Sequence, residues 1–272
     1  LEASLVSPQG VVIGDLNATH QQTVALAAGT QWYQRQFTIN LPPGASVNES
    51  YTVVWTVHWG DTGVDSATST TALTVLQPRE VRVPVLMYHY VEPAASGDYT
   101  ITPEALRSQL QALKAYGYTP VTLQEVMDYR AGYSSPADPA NKPVLVTFDD
   151  GDVSFYNYAF PVLEEVGVKA TVFALPSLVD NAATSGSVSW EQLATLRDSG
   201  LVDIQSHSMT HPALSTLDAG QLAAELVDSK QALESHLGGA VRFIAWPYGD
   251  YNDTVGQAAW QAGYVAGLTA WG

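Results

Sequence analysis

The sequence predicts an α/β fold, a (β/α) barrel, preceded by a small all-β sandwich. Three observations predict it. Residues 1–78 carry short runs of alternating polar and apolar residues between turn clusters, the pattern of half-buried antiparallel strands. From residue 84 to 272, strand-like apolar runs alternate with helix-like stretches, which calls for crossover connections and a parallel sheet. Several of those later runs end in acidic, histidine or aromatic residues, and the C-terminal strand ends of a barrel form one rim.

Composition bounds the rest. A chain of 272 residues, 46% hydrophobic and 14% charged, is a folded protein long enough for two domains. Eleven basic against 27 acidic side chains leave a net charge of −16, so nucleic acid and anionic membranes are excluded as expected partners. Without cysteine there is neither a disulfide nor a thiolate metal site, which suits an exported bacterial protein or a thermophile. No apolar run reaches the roughly 18 residues of a membrane span. The start at Leu1-Glu2, without methionine, is the start expected after a signal or anchor has been trimmed. A monomer, extracellular or at the cell surface, is expected.

In chain order, Gln36–Leu41, Tyr51–Trp59 and Thr70–Leu76 read as sandwich strands, with turns at Pro42-Pro43-Gly44 and Gly60–Gly63. Trp32, Trp55 and Trp59 read as packing aromatics in preference to a sugar platform. Residues 79–83 form the linker to the second domain, 84–272. There Val83–Tyr88 reads as a strand, and Pro103–Tyr116 as a helix capped by Thr102 with Leu106, Leu110 and Leu113 on one face. Thr122-Leu123-Gln124-Glu125 and Ser189-Trp190-Glu191-Gln192 are capping boxes that start two more helices. Pro143–Phe148, Lys169–Leu175, Leu201–Ser206, Val241–Trp246 and Tyr264–Leu268 read as strands. Helices are expected after Phe148 through about Val166, from Asp218 to Leu237, and from Thr254 to Ala262. Two polar loops, Tyr133–Asn141 and Ser177–Ser187, are expected to flank the mouth of the site.

The chemistry sits after the strands. His89 follows the first, the pair Asp149-Asp150 the second, His207 with His211 another, and Trp246-Pro247-Tyr248-Gly249 the next to last. Two like charges at the end of a buried strand repel and lose solvation together, so they point to a bound cation. Asp150, His207 and His211 make a two-histidine, one-carboxylate set suited to Zn²⁺, Co²⁺, Ni²⁺ or Fe²⁺. Asp149 is then free as a base and His89 as an acid. Trp246 and Tyr248 offer faces for sugar rings, and the turn at Pro247 offers an N–H to an oxyanion. His20, His58 and His236 read as structural.

Thr147-Phe148-Asp149-Asp150-Gly151, His207-Ser208-Met209-Thr210-His211-Pro212 and Trp246-Pro247-Tyr248-Gly249 resemble the successive motifs of the polysaccharide deacetylases, the NodB-homology carbohydrate esterases of family 4. The resemblance covers residue 84 to the end and leaves out the sandwich. It implies a deformed (β/α) barrel, a metal, most simply zinc, on Asp150, His207 and His211, Asp149 as general base, the Tyr248 N–H as oxyanion donor and Trp246 as groove wall. No histidine follows His236, so the C-terminal acid histidine of many members is absent. Pro84–His89 instead resembles the opening of the subgroup acting on poly-β-1,6-N-acetylglucosamine, which implies that His89 is the acid. Ala245 stands where many members carry an arginine, and the same subgroup lacks it.

The activity implied is removal of N-acetyl groups from a polysaccharide containing N-acetylglucosamine. An O-acetyl esterase on xylan or peptidoglycan sugars, a hydrolase of small cyclic amides and a non-catalytic surface carbohydrate-binding protein stay open as alternatives.

Overall fold

The computed structural model describes residues 79–94 and 97–270 with their side chains and, before them, the backbone of four strands. The chain divides into two compact units, Leu1–Arg79 and Glu80–Gly272.

In the first unit β1 (Glu2–Val6), β2 (Val12–Asp15), β3 (Ser50–Trp59) and β4 (Asp65–Thr74) form an antiparallel sheet in the order β2-β1-β3-β4. Strands β3 and β4 pair along their whole length, from Ser50 opposite Thr74 to Trp59 opposite Asp65. The strand expected at Gln36–Leu41, the turns, His20 and Trp32 lie outside the described residues, as do the side chains of Trp55, His58 and Trp59.

The second unit opens with β5 (Val85–Tyr88) and a short pair, β6 (Tyr90–Val91) with β7 (Thr100–Ile101). Helix α1 (Pro103–Ala115) starts where Thr102 accepts from the Ala105 N–H and proline fills the first turn, and it buries Leu106 and Leu110. After β8 (Thr119–Pro120) comes α2 (Leu123–Arg130), with both halves of the Thr122–Glu125 capping box made. Strand β9 (Pro143–Phe148) has the bounds its apolar run predicts and is buried at every position. A π-helical turn, Phe155–Ala159, leads into α3 (Phe160–Val166), which Gly167 ends in the left-handed region.

Strand β10 (Ala170–Ala174) precedes α4 (Pro176–Val179), α5 (Ala182–Ser185) and α6 (Trp190–Asp198), the last with its Ser189–Gln192 capping box in place. Strand β11 (Val202–Ser206) is followed by the long α7 (Ala219–Leu237), boxed by Asp218 and Gln221. Strand β12 (Phe243–Ala245), α8 (Asp253–Ala262) and β13 (Ala266–Leu268) complete the unit. His236, in the last turn of α7, stacks on Trp190 with ring centroids 4.0 Å apart.

The strands form one parallel sheet in the order β13-β12-β11-β10-β9-β5, with β8 also against β9. Among the described residues this path ends at β5 and β13 without joining them, a curled half-barrel that agrees with the deformed (β/α) barrel expected. Its outer face packs on the helices through Val146, Phe148, Val172, Ile204 and Ile244. Its inner face carries Leu145, Phe173, Phe243 and Ala245, plugged from below by Val121, Leu123 and Ala137. Burial on both faces explains why the strands read as near-continuous apolar runs.

Candidate metal centre and active site

The open side of the half-barrel leaves a groove of about 1050 Å³ over the strand ends, lined among others by His89, Tyr90, Tyr99, Asp149, Asp150, His207, His211, Trp246 and Tyr248. All eight residues singled out from the sequence lie at these strand ends; seven line the groove, and Pro247, buried, lies between Trp246 and Tyr248. Neither loop expected to flank the mouth lines it. Tyr133–Asn141 runs into Pro143, the first residue of β9, so it serves the opposite end of the sheet. Ser177–Ser187, which holds α4 and α5, flanks it from behind: the Ser177 N–H donates to the Met209 carbonyl and the Ser187 hydroxyl to the Gly151 carbonyl.

Strand register aligns the chemistry. Tyr88 pairs with Phe148, and the Asp149 N–H donates to the Tyr88 carbonyl at 2.9 Å, so His89 and Asp149 leave neighbouring strands at one level. Asp150 and Gly151 are both left-handed, at φ 70° and 66°. Two such residues in succession turn the chain sharply and aim the second carboxylate back over the sheet. Gly151 packs its backbone on Ala174, to which an added Cβ would stand at 3.4 Å.

Beyond β11 a second tight turn carries both histidines, with Ser208 at φ 71° and His211 at φ 68°. Of the five non-glycine residues with positive φ among the described residues, Asp150, Ser208, His211 and Tyr248 belong to this site. Such conformations persist where surrounding bonds over-determine them, and here they do. The Ser206 hydroxyl accepts from the Ser208 N–H, and the Ser208 hydroxyl accepts from the His211 N–H. Glu225 of α7 accepts from the Met209 and Thr210 N–H groups at 2.8 and 2.9 Å and from the Thr210 hydroxyl at 2.5 Å. Glu225 and Tyr90 have no motif signal of their own, and sequence reasoning missed both.

Asp150, His207 and His211 bring one ligand atom each into a triangle. The two Nε2 atoms lie 3.2 Å apart, and Asp150 Oδ1 lies 3.5 Å from that of His207 and 3.6 Å from that of His211. A tetrahedral ion with bonds of about 2.1 Å needs ligand–ligand edges of about 3.4 Å, so the donor set fits such a cation. His207 Nδ1 lies 2.8 Å from the Ala245 carbonyl. A carbonyl can only accept, so Nδ1 carries the proton and Nε2 turns its lone pair to the centre. Burial is the main cause that pushes the His207 pKa down to about 4, keeping this imidazole neutral. The Tyr90 hydroxyl donates to Asp150 Oδ2 at 3.1 Å.

Asp149 is buried, and burial followed by the Asp150 charge pushes its pKa up to about 7. His89 is pushed down by burial, with Asp150 opposing and His211 adding to the shift; its ring packs on exposed Tyr99, centroids 5.0 Å apart. Tyr248 is 66% exposed, left-handed at φ 59°, and packs edge-on to His211 at 4.5 Å. Trp246, only 7% exposed, faces the groove with little of its ring and stacks on Tyr251.

Residues 137–267 match a family model described as polysaccharide deacetylase. YxkH of Bacillus subtilis is 28% identical over 191 residues, which cover 70% of this chain and 65% of that protein. The poly-β-1,6-N-acetyl-D-glucosamine N-deacetylase of Staphylococcus epidermidis is 30% identical over 182 residues, 63% of this chain and 62% of that one. Among solved structures, the Streptococcus pyogenes deacetylase PplD in complex with acetate superposes with a TM-score of 0.64 at 30% identity, covering 71% of this chain and 84% of that chain. The chain thus spans a little under two thirds of the length of these curated relatives.

Proposed function

Because this chain belongs to the polysaccharide deacetylase family, we propose that it hydrolyses N-acetyl groups from a polysaccharide containing N-acetylglucosamine. The observation that carries this reading is the Asp150–His207–His211 triangle, cut to the size of a small divalent cation, with a second, buried carboxylate beside it. Zinc suits the donor set best, with cobalt, nickel or iron as substitutes. Bound there, the cation supplies Lewis acidity, lowering the pKa of water and polarising the acetyl carbonyl.

The chain's own groups do the rest. Asp149, buried beside the triangle and held ionised by a cation bound there, takes the proton of the attacking water. The Tyr248 N–H comes from a turn in which Gly249 and Asp250 donate back to the Trp246 and Pro247 carbonyls, and it serves as donor to the developing oxyanion. His89, entering from the neighbouring strand, protonates the departing amine; acetate and a glucosamine unit leave. The exposed rings of Tyr99 and Tyr248 give sugar faces something to stack on. A polymeric substrate and a cysteine-free chain fit work outside the cytoplasm.

The activity named for the staphylococcal relative makes β-1,6-linked N-acetylglucosamine oligomers the first substrate to test. Purified protein is incubated with them and, in parallel, with acetylated xylan, and free amine and acetate are quantified. New amine in the first reaction supports the proposal. Acetate released from xylan alone would replace it with the O-acetyl esterase reading.

A further inference from the structure

Asp149 and Asp150 are neighbours of the same type, yet one is proposed as a base and the other as a metal ligand. Tyr90 distinguishes them. Its hydroxyl donates to Asp150 Oδ2 at 3.1 Å, while Oδ1 is the oxygen that faces both imidazoles, at 3.5 and 3.6 Å. One carboxylate thus divides its two oxygens between two tasks. The phenol is held in place by the main chain: Tyr90 pairs with Thr100 in the β6–β7 ladder, and its N–H donates to the Tyr99 carbonyl at 3.1 Å.

Resting on the metal centre proposed above, we propose that Tyr90 is the positioning residue for Asp150. By occupying Oδ2 it leaves a single oxygen for the cation and fixes the rotation of a carboxylate whose last torsion is otherwise broad. Without the hydroxyl, the Asp150 side chain, 20% exposed, is free to turn towards solvent or to offer both oxygens. Hydrogen-bond partners standing behind metal ligands are typically worth 10- to 100-fold in metal affinity. The Ala245 carbonyl does this for His207, and Tyr90 does it for the carboxylate. The tripeptide Tyr88-His89-Tyr90 then supplies both the amine's proton donor and the anchor of the metal's anionic ligand.

The test needs no substrate. Zinc affinity of the parent chain and of Tyr90→Phe is measured by competition with a chromogenic chelator, and the cobalt-loaded forms are compared by electronic absorption. The substitution removes one oxygen from a half-buried ring and leaves the ladder intact. Affinity 10- to 100-fold weaker, with shifted cobalt bands, is the expected result. Made on top of Asp150→Ala, the same change should leave the residual affinity where it was. Equal affinities and superimposable cobalt spectra would overturn the inference, as would an equal loss in both backgrounds. A parent that binds no zinc would sink the metal centre and this inference together, whereas zinc held equally by both forms sinks only the inference.

Discussion

Trp246 lies across Gly267 so closely that a Cβ built on the glycine would stand 2.2 Å from Cζ2 of the indole. The Nε1–Cε2–Cζ2 side of the indole lies against Gly267 of β13, and the chain leaves β12 through Trp246 directly into Pro247 and Tyr248. Gly267→Ala must therefore push the ring, and with it the turn that offers the Tyr248 N–H. Overpacking of this kind costs about 1–3 kcal/mol. The melting temperature should fall by several degrees, and turnover should fall further than stability alone explains.

Asp149 must be ionised to act as a base. Its pKa, raised to about 7 by burial and by Asp150, places the protonated and inactive form on the acid side. A bound cation favours the ionised form and draws that midpoint lower. The parent's kcat/KM should thus fall with decreasing pH, with a midpoint at or below about 7. Asp149→Asn should bind zinc, lose roughly 100-fold or more in kcat, and show no such limb. Turnover unchanged in that variant would remove the assignment.

For His89 the decisive comparison is between leaving groups. An amine must be protonated to depart, whereas an aryl alcohol leaves unaided. His89→Gln should lower N-deacetylation by about 100-fold or more and barely touch hydrolysis of an activated aryl acetate. Equal losses on both would move His89 from acid to a general structural role.

Glu225 holds the histidine turn through three hydrogen bonds and does not line the groove. Bonds to a charged acceptor are worth about 1.5–3 kcal/mol each. Glu225→Ala should weaken zinc binding and speed hydrogen exchange at the Met209 and Thr210 amides, while Glu225→Gln, which retains an acceptor, should recover part of both.

Local signals made most of the second unit legible. The caps at Thr102, Thr122 and Ser189 are bonds between residues three apart, and β9 is an apolar run closed by charge. The strand-end placement of His89, Asp149, Asp150, His207 and Trp246 followed from counting strands. What the sequence hid are contacts between distant segments. Tyr90 reaches a residue 60 positions away, Glu225 reaches back 15 or 16, and Gly267 reads as an ordinary strand glycine until Trp246 is laid on it.

Metal titration of activity tests the central claim most directly. Protein stripped by a chelator is given zinc in steps, and amine release from N-acetylglucosamine oligomers is followed alongside bound metal. Activity should rise from near zero and level off at about one zinc per chain, and His211→Ala should lose both the uptake and the activity. Full activity in the stripped protein, or zinc uptake that leaves amine release at zero, would contradict the account.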